Sequence, residues 1–419
     1  MTTPLSTFQV TPPPGWTGPG GGRISATLRP DRLELALGGG GLLAVMFAFP
    51  QLGRPHFPPA ATAAQPVTVL GPHALQALAV GLPEGSAELL RSALTGRLAL
   101  VATGDPTDVV PLEIGPAQPL DGTVGFALLG TPTERRLYDV ALRVEPSGWQ
   151  VVAPHAVYYR REWSDFGLAH ITDTHVARRI DAFRPTLRSL GLDEAADRLC
   201  NMNDQFRGFV HLANSLHDAG ELDVIVATGD LVDYLYEDDD DLQGLGNAGF
   251  LRELILGTAP GPDWPTVEEL RVPILMTPGN HDYRRHPYHL VFDVEAAGLD
   301  LTRVRNFSNL ALLEREAMAL TNALSFPGAT EVPKFGKDGS LRMVQIDPQV
   351  SAFRRALAEP GPHVAELGKH RVVLVDSAHD VGMPDSVGDA LWEVVKQWWN
   401  GSGDEDLFTL IGGSPNCEG

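Results

Sequence analysis

Three short segments of the chain combine carboxylate, imidazole and amide side chains, and each of them follows an apolar run. They are Asp173–His175, Gly229–Asp233 and Gly279–Asp282. Mn, Fe and Zn accept mixed oxygen and nitrogen ligands of this kind. Taken singly, the same residues are also typical of loop caps and turns. Together, the three segments predict one metal site.

Glycine precedes the polar residues in the second and third segments, where Gly229 is followed by Asp230 and Gly279 by Asn280. A glycine lets the backbone bend tightly and approach an ion closely. A centrally placed carboxylate such as Asp230 can bridge two ions about 3.5–4 Å apart. Such a pair generates a hydroxide at neutral pH and holds both oxygens of an in-line phosphoryl displacement.

Alternating strands and helices must position these segments. The pattern predicts an α/β layered domain from residue 160 onwards, and in such folds ligands bind beyond the carboxyl ends of the strands. The three segments lie at such ends. The predicted strands cover residues 166–171, 224–228, 273–277, 371–376 and 407–411, and the predicted helices cover residues 193–220, 248–256 and 389–400.

The chain of 419 residues is long enough for several domains. Residues 1–22 are rich in Pro and Gly and predict a disordered tail. Residues 23–159 predict a mostly β N-terminal domain, with short helices at 73–80 and 86–94 as candidates. Within 160–419, residues 284–370 predict an inserted lobe that is mainly helical, with a hairpin near 333–344.

The motifs Asp-x-His, Gly-Asp-x-x-Asp and Gly-Asn-His-Asp, in this order and each after a strand, resemble the calcineurin-like metallophosphoesterase superfamily. The resemblance covers residues 165–411 and implies two mixed sheets flanked by helices. Purple acid phosphatases are similar but carry Tyr at the last position of Gly-Asp-x-x-Asp. Because Asp233 occupies that position, we predict a protein outside that subgroup.

The resemblance implies two divalent ions, which would be Mn, Fe or Zn. It makes Asp173 and His175 ligands of the first ion, Asp230 the bridge and Asn280 a ligand of the second. The implied reaction is hydrolysis of a phosphoester, in which a hydroxide held by the ions attacks phosphorus.

In the same resemblance, His281 donates a proton to the leaving oxygen or steadies the transition state. Either Asp282 or Asp233 orients that imidazole. The sequence leaves both alternatives open.

The superfamily pattern continues with a histidine after a strand and with Gly-His-x-His, and this sequence contains neither. Beyond His289, its histidines are His363, His370 and His379. We therefore expect the chain to end inside its domain. A genuine loss of these ligands leads to the alternative hypothesis of a non-catalytic binding or scaffold module. His379 follows a predicted strand and is either a replacement ligand or a loop histidine.

Arginines follow the metal motifs closely, and Arg178 and Arg284 are candidates for binding a substrate phosphate, since the guanidinium fork matches phosphate oxygens. Arg179 has the same candidacy, and solvated loop charge is the alternative for each. The formal net charge of −21 argues against general binding of nucleic acid. We expect a small phosphorylated substrate.

Little in the sequence suggests secretion or a membrane anchor. The first residues show no basic segment followed by an apolar core. The longest apolar stretch, residues 42–49, is far shorter than the ~20 residues that span a bilayer. Two cysteines, Cys200 and Cys417, make no disulfide framework. These features predict a cytoplasmic protein without a membrane span.

Overall fold

The computed structural model divides the chain into two compact units, residues 1–165 and residues 166–419. The residues that the structure describes are 6–14, 16, 24–29, 32–37, 41–59, 65–78, 85–121, 123–146, 148–234, 246–279, 281–283, 331–335, 341–345, 357–358, 363–374 and 409–412.

The first unit contains two antiparallel sheets. The seven-stranded sheet has the order β1-β2-β3-β4-β5-β9-β8, and the four-stranded sheet has the order β11-β10-β6-β7. The elements are β1 Ser6–Val10, β2 Ile24–Leu28, β3 Arg32–Leu37, β4 Gly41–Phe47, β5 Val67–Leu78, α1 Ser86–Leu94, β6 Leu98–Ala102, β7 Asp105–Pro111, β8 Glu113–Leu120, β9 Thr123–Gly130, β10 Arg136–Val144 and β11 Gly148–Tyr159.

Buried side chains of both sheets and of α1 form one hydrophobic cluster, which includes Leu35 and Leu75 from the larger sheet, Leu100 and Val140 from the smaller one, and Leu89 from the helix. Alternating burial along β2 and β3 produces this arrangement, because a strand turns every second side chain to the same face. The mostly β character predicted for this part of the chain is confirmed.

Two expectations for the first unit were wrong. Ser6–Val10 is not part of a disordered tail, because it forms β1 and pairs with Ile24–Leu28. Residues 73–78 are not helical, because they belong to β5 and pair with β4 and β9. In both cases hydrogen bonds to a distant strand outweigh a weak local preference.

The second unit carries the predicted α/β pattern. Its first sheet is parallel, with the order β12-β13-β14, and a second three-stranded sheet has the order β17-β18-β19. Its elements are β12 Leu168–Thr172, α2 Arg178–Ser189, α3 Asp193–Arg198, α4 Met202–Asp218, β13 Val224–Thr228, α5 Gly246–Ile255, β14 Ile274–Thr277, β15 Glu331–Phe335, β16 Leu341–Gln345, β17 His363–Leu367, β18 His370–Leu374 and β19 Thr409–Gly412.

The second sheet is mixed, because β18 pairs antiparallel with β17 and parallel with β19. The predicted hairpin is present as β15 and β16. The other elements described within 284–370 are the strand β17 and the start of β18, and the mainly helical lobe expected there stays a prediction. The predicted helix at 389–400 lies outside the described residues.

One buried arginine links helices α2 and α4 through an ion pair. The side chain of Arg207 on α4 is 1% exposed, and its guanidinium donates to both carboxylate oxygens of Asp181 on α2 at 3.0 and 2.7 Å. Asn201 interrupts the predicted 193–220 helix and caps α4 by accepting from the backbone N–H groups of Asn203 and Asp204. The first turn of α2 is thereby anchored to α4.

No helix in the described part of the chain is both long enough and apolar enough to cross a membrane.

Candidate metal centre

The three parallel strands end in one row of threonines. Thr172 of β12 lies opposite Thr228 of β13, which lies opposite Thr277 of β14. Because parallel strands share one carboxyl edge, the three polar segments leave the sheet side by side. The prediction that these segments meet at one edge is confirmed by this register.

Backbone hydrogen bonds join the first loop to the second beyond the sheet. The N–H groups of Asp173 and His175 donate to the carbonyls of Gly229 and Asp230 at 3.2 and 2.9 Å. Val176 and Val232 form an isolated parallel bridge one step farther on. The two loops therefore continue the strand pairing, and these backbone hydrogen bonds hold the residues that carry the polar side chains.

The backbone is left-handed at three of the predicted site residues. The φ angles are 53° at Asp173, 43° at His175 and 49° at Asp230. Non-glycine residues rarely adopt this region, and such strain persists where the surrounding structure imposes it, often at functional sites. In the described part of the chain only His155, in the other unit, shares this feature among non-glycine residues.

Potential ligand atoms of His175, Asp230 and His281 all lie within 4.8 Å of one another. Asp173 extends this group, since its Oδ1 is 3.8 Å from His175 Nε2, which is also 3.9 Å from Asp230 Oδ2. Imidazole nitrogen and carboxylate oxygen at such separations form a donor set that fits a divalent ion of the Mn, Fe or Zn type.

The electrostatics favour a neutral imidazole at His175. Burial and the nearby His281 hold the pKa of His175 below its usual range, against the opposite effect of Asp230, Asp233 and Asp173. A histidine must be neutral to bind a metal. The local environment therefore presents His175 in the form that a ligand needs.

Asp233 contacts the predicted proton donor. Its Oδ1 lies 3.4 Å from Nδ1 of His281, and its backbone oxygen lies 3.1 Å from the same nitrogen. Burial raises the pKa of Asp233, but the hydrogen bond with His281 and the charge of Arg179 outweigh it and leave the pKa below its usual range. Asp233 is thus an ionised partner suited to orienting His281.

Asp282 makes different contacts from those expected of an orienting carboxylate. Its oxygens accept from the backbone N–H groups of Gly279, Leu231 and Val232 at 2.7, 3.1 and 2.8 Å. Complete burial raises the pKa of Asp282 to about 8, although these hydrogen bonds act in the opposite direction. Asp282 links the third loop to the second, whereas Asp233 is the carboxylate whose oxygen lies 3.4 Å from His281 Nδ1.

Gly279 allows the second and third loops to touch. A Cβ at this position would lie 2.3 Å from Asp230 N and 2.4 Å from Asp230 Oδ1. We expect Gly279→Ala to displace Asp230, to lower metal affinity and to destabilise the second unit by about 1–3 kcal/mol, as for other overpacked sites. Metal titration and urea unfolding measure the two effects.

Gly208→Ala is the matched control for Gly279→Ala. Gly208 lies in α4, and its added Cβ would meet the Trp264 ring at an ordinary 3.4 Å. Alanine favours a helix by ~1 kcal/mol over glycine, so this variant should not lose stability. Equal metal affinity of Gly279→Ala and the parent would contradict the close packing inferred here.

The remaining predicted residues are placed as follows. Asn280 and Arg284 lie outside the described residues. The guanidinium of Arg178 pairs with Glu253 at 2.8 Å and lies over the Phe250 ring. Its neighbour Arg179, which the sequence also makes a candidate for binding phosphate, contacts the site through Asp233. In the sequence, Arg179 is marked only by its position four residues after the first motif.

Comparison with known proteins finds a family model that is similar to part of the second unit. Residues 166–334 match the model of the calcineurin-like phosphoesterase family. No curated protein matches the chain. Among solved structures, the chain is similar to a purple acid phosphatase from yellow lupin seeds, at 11% identity and a TM-score of 0.30. That similarity covers 93% of this chain, and the chain spans 58% of that structure's length. The family match covers less than half of the chain and shows a likeness of residues 166–334 to calcineurin-like phosphoesterases.

Proposed function

We propose that this protein hydrolyses a phosphoester with a pair of divalent metal ions held at the edge of the parallel sheet. The proposal is carried by the convergence of His175, Asp230 and His281, whose ligand atoms lie within 4.8 Å of one another. Asp173 and His175 would hold the first ion, Asp230 would bridge, and Asn280 would hold the second. When bound, such a pair lowers the pKa of water and neutralises charge on a phosphoryl group.

His281 would supply the proton for the leaving oxygen, and its neighbours would orient its imidazole. His281 is the candidate donor to the leaving oxygen, and its Nδ1 faces the backbone oxygen of Asp233 at 3.1 Å. A proton on Nδ1 would donate to this carbonyl. Nε2 is then the nitrogen that turns to the substrate. The backbone N–H of His281 donates to Asp230 Oδ1 at 2.9 Å. This hydrogen bond links the candidate proton donor to the carboxylate that would bridge the two ions.

A small phosphorylated molecule is the proposed substrate. The formal net charge of −21 disfavours long nucleic acids, which carry one negative charge per phosphate. Arg178 and Arg284 remain candidates for binding the phosphate, and a cytoplasmic location remains a proposal. No protein partner is proposed.

The role of His281 is tested with His281→Asn. We expect kcat to fall about 10²–10⁴-fold for phenyl phosphate, whose leaving oxygen needs a proton, as is usual when a general acid is removed. The loss should be smaller for para-nitrophenyl phosphate, whose phenolate leaves unaided. Steady-state hydrolysis with added Mn measures both. Equal losses for the two substrates would contradict proton donation by His281.

A further inference from the structure

Asp233 faces two imidazoles and one guanidinium. Its Oδ1 is 3.4 Å from Nδ1 of His281 and 3.8 Å from Nδ1 of His175. Its Oδ2 accepts from Arg179 at 2.9 Å. One carboxylate thus lies between the candidate proton donor and a candidate metal ligand, and the position of this carboxylate affects both.

Arg179 is itself held in a defined orientation. It is the second residue of α2, and its guanidinium lies 5.6 Å from the ring centroid of Phe183, one helical turn later. It also lies 4.8 Å from the ring centroid of Tyr234, the residue after Asp233. Arginine stacks on aromatic faces and binds carboxylates through a rigid, planar fork. The Phe183 and Tyr234 rings therefore help to orient the Arg179 guanidinium towards Asp233.

The ion pair between Arg179 and Asp233 is restrained by the elements around it. The side chains of Arg179 and Asp233 are 14% and 16% exposed, so solvent weakens their ion pair less than it would on the surface. Helix α2 is anchored to α4 through Asp181 and Arg207. The backbone N–H of Asp233 donates to the carbonyl of Val176 at 3.2 Å. Arg179 and Asp233 thus both belong to segments whose positions are fixed by hydrogen bonds.

We propose that Arg179 is a positioning residue that, through Asp233, sets the orientation of both His281 and His175. The inference rests on the proposed function for its consequences in catalysis. Its structural part concerns the imidazole geometry alone. It predicts that a single arginine outside the ligand set couples metal affinity to proton donation.

The test is a double-mutant cycle between Arg179→Met and Asp233→Asn. We expect Arg179→Met to weaken Co²⁺ binding about 10–100-fold, as for other residues that orient ligands, and to change the Co²⁺ absorption spectrum. The kcat for phenyl phosphate should fall more than that for para-nitrophenyl phosphate. The double variant should be no worse than Asp233→Asn alone, because residues that act through one another are not additive. Arg179→Lys should recover part of the loss.

Arg184→Met is the matched control on the same helix. Arg184 is also half-buried, and it donates to the backbone oxygens of Ala196 and Leu199 and pairs with Asp263. Its loss should lower stability while leaving the Co²⁺ spectrum and affinity unchanged. A loss of metal binding in Arg184→Met equal to that in Arg179→Met would assign the effect to helix α2 as a whole and overturn the proposal.

Two further outcomes would overturn the proposal. One is additive losses in the cycle. The other is a metal-free crystal structure of Arg179→Met in which Asp233 Oδ1 keeps its parental distance from His281 Nδ1. If the parent hydrolyses no phosphoester, the proposed function fails while Co²⁺ affinity still decides the role of Arg179. If the parent binds no Co²⁺, the metal-free crystal structure decides it.

Discussion

Asp230→Asn is expected to reduce the affinity for divalent ions by about a hundredfold or more, since even residues that only orient a ligand cost 10–100-fold when removed. The amide preserves the size of the side chain and can still accept the hydrogen bond from His281 N–H at 2.9 Å. It lacks the negative charge that a bridging ligand supplies between two ions. Hydrolysis of para-nitrophenyl phosphate should fall with metal content. Isothermal titration with Mn²⁺ and elemental analysis measure the loss.

Asp223→Asn is the matched control for Asp230→Asn. Asp223 precedes β13 and Asp230 follows it, and both side chains are buried. Asp223 accepts from the backbone N–H of Gly167 at 2.9 Å, at the end of the strand opposite to the candidate site. Its amide variant should retain metal affinity. Unchanged metal content in Asp230→Asn would remove the bridging role and the dinuclear proposal with it.

Asp282→Ala is expected to destabilise the second unit by about 3 kcal/mol or more and to abolish metal binding. Three backbone N–H groups, those of Gly279, Leu231 and Val232, lose their acceptor. Each buried donor left without a partner costs about 1–3 kcal/mol. Amide hydrogen exchange at residues 231–232 should accelerate, and urea unfolding gives the loss of stability.

Two comparisons separate the role of Asp282 from a general loss of charge. Asp282→Asn keeps one acceptor oxygen and should lose less stability than Asp282→Ala. Asp218→Ala removes an exposed carboxylate that pairs with Arg271, and exposed pairs contribute about 0–1 kcal/mol. If Asp282→Ala were as stable as Asp218→Ala, the third loop would not depend on Asp282.

The sequence alone was sufficient to predict the alternation of strands and helices and the strand ends at which the three polar segments meet. Val224–Thr228 and Ile274–Thr277 are short, continuous apolar runs that end in polar loops, and this signal is local. Helix α2 was not predicted, because Pro185 lies inside it and argues against a helix. The strand Ser6–Val10 was also missed, since its hydrogen-bond partner lies beyond a segment rich in Pro and Gly.

The tertiary structure decided which groups the two carboxylates contact. Asp233 and Asp282 were equal candidates for orienting His281, and one of them lies beside it in the sequence. In the folded chain, Asp282 is fully buried against three backbone N–H groups, whereas Asp233 reaches His281 and Arg179. This division follows from the close contact of Gly279 with Asp230, which brings the loops together. Residue types and spacing carry no information about which buried N–H groups need an acceptor, because packing between loops creates that need.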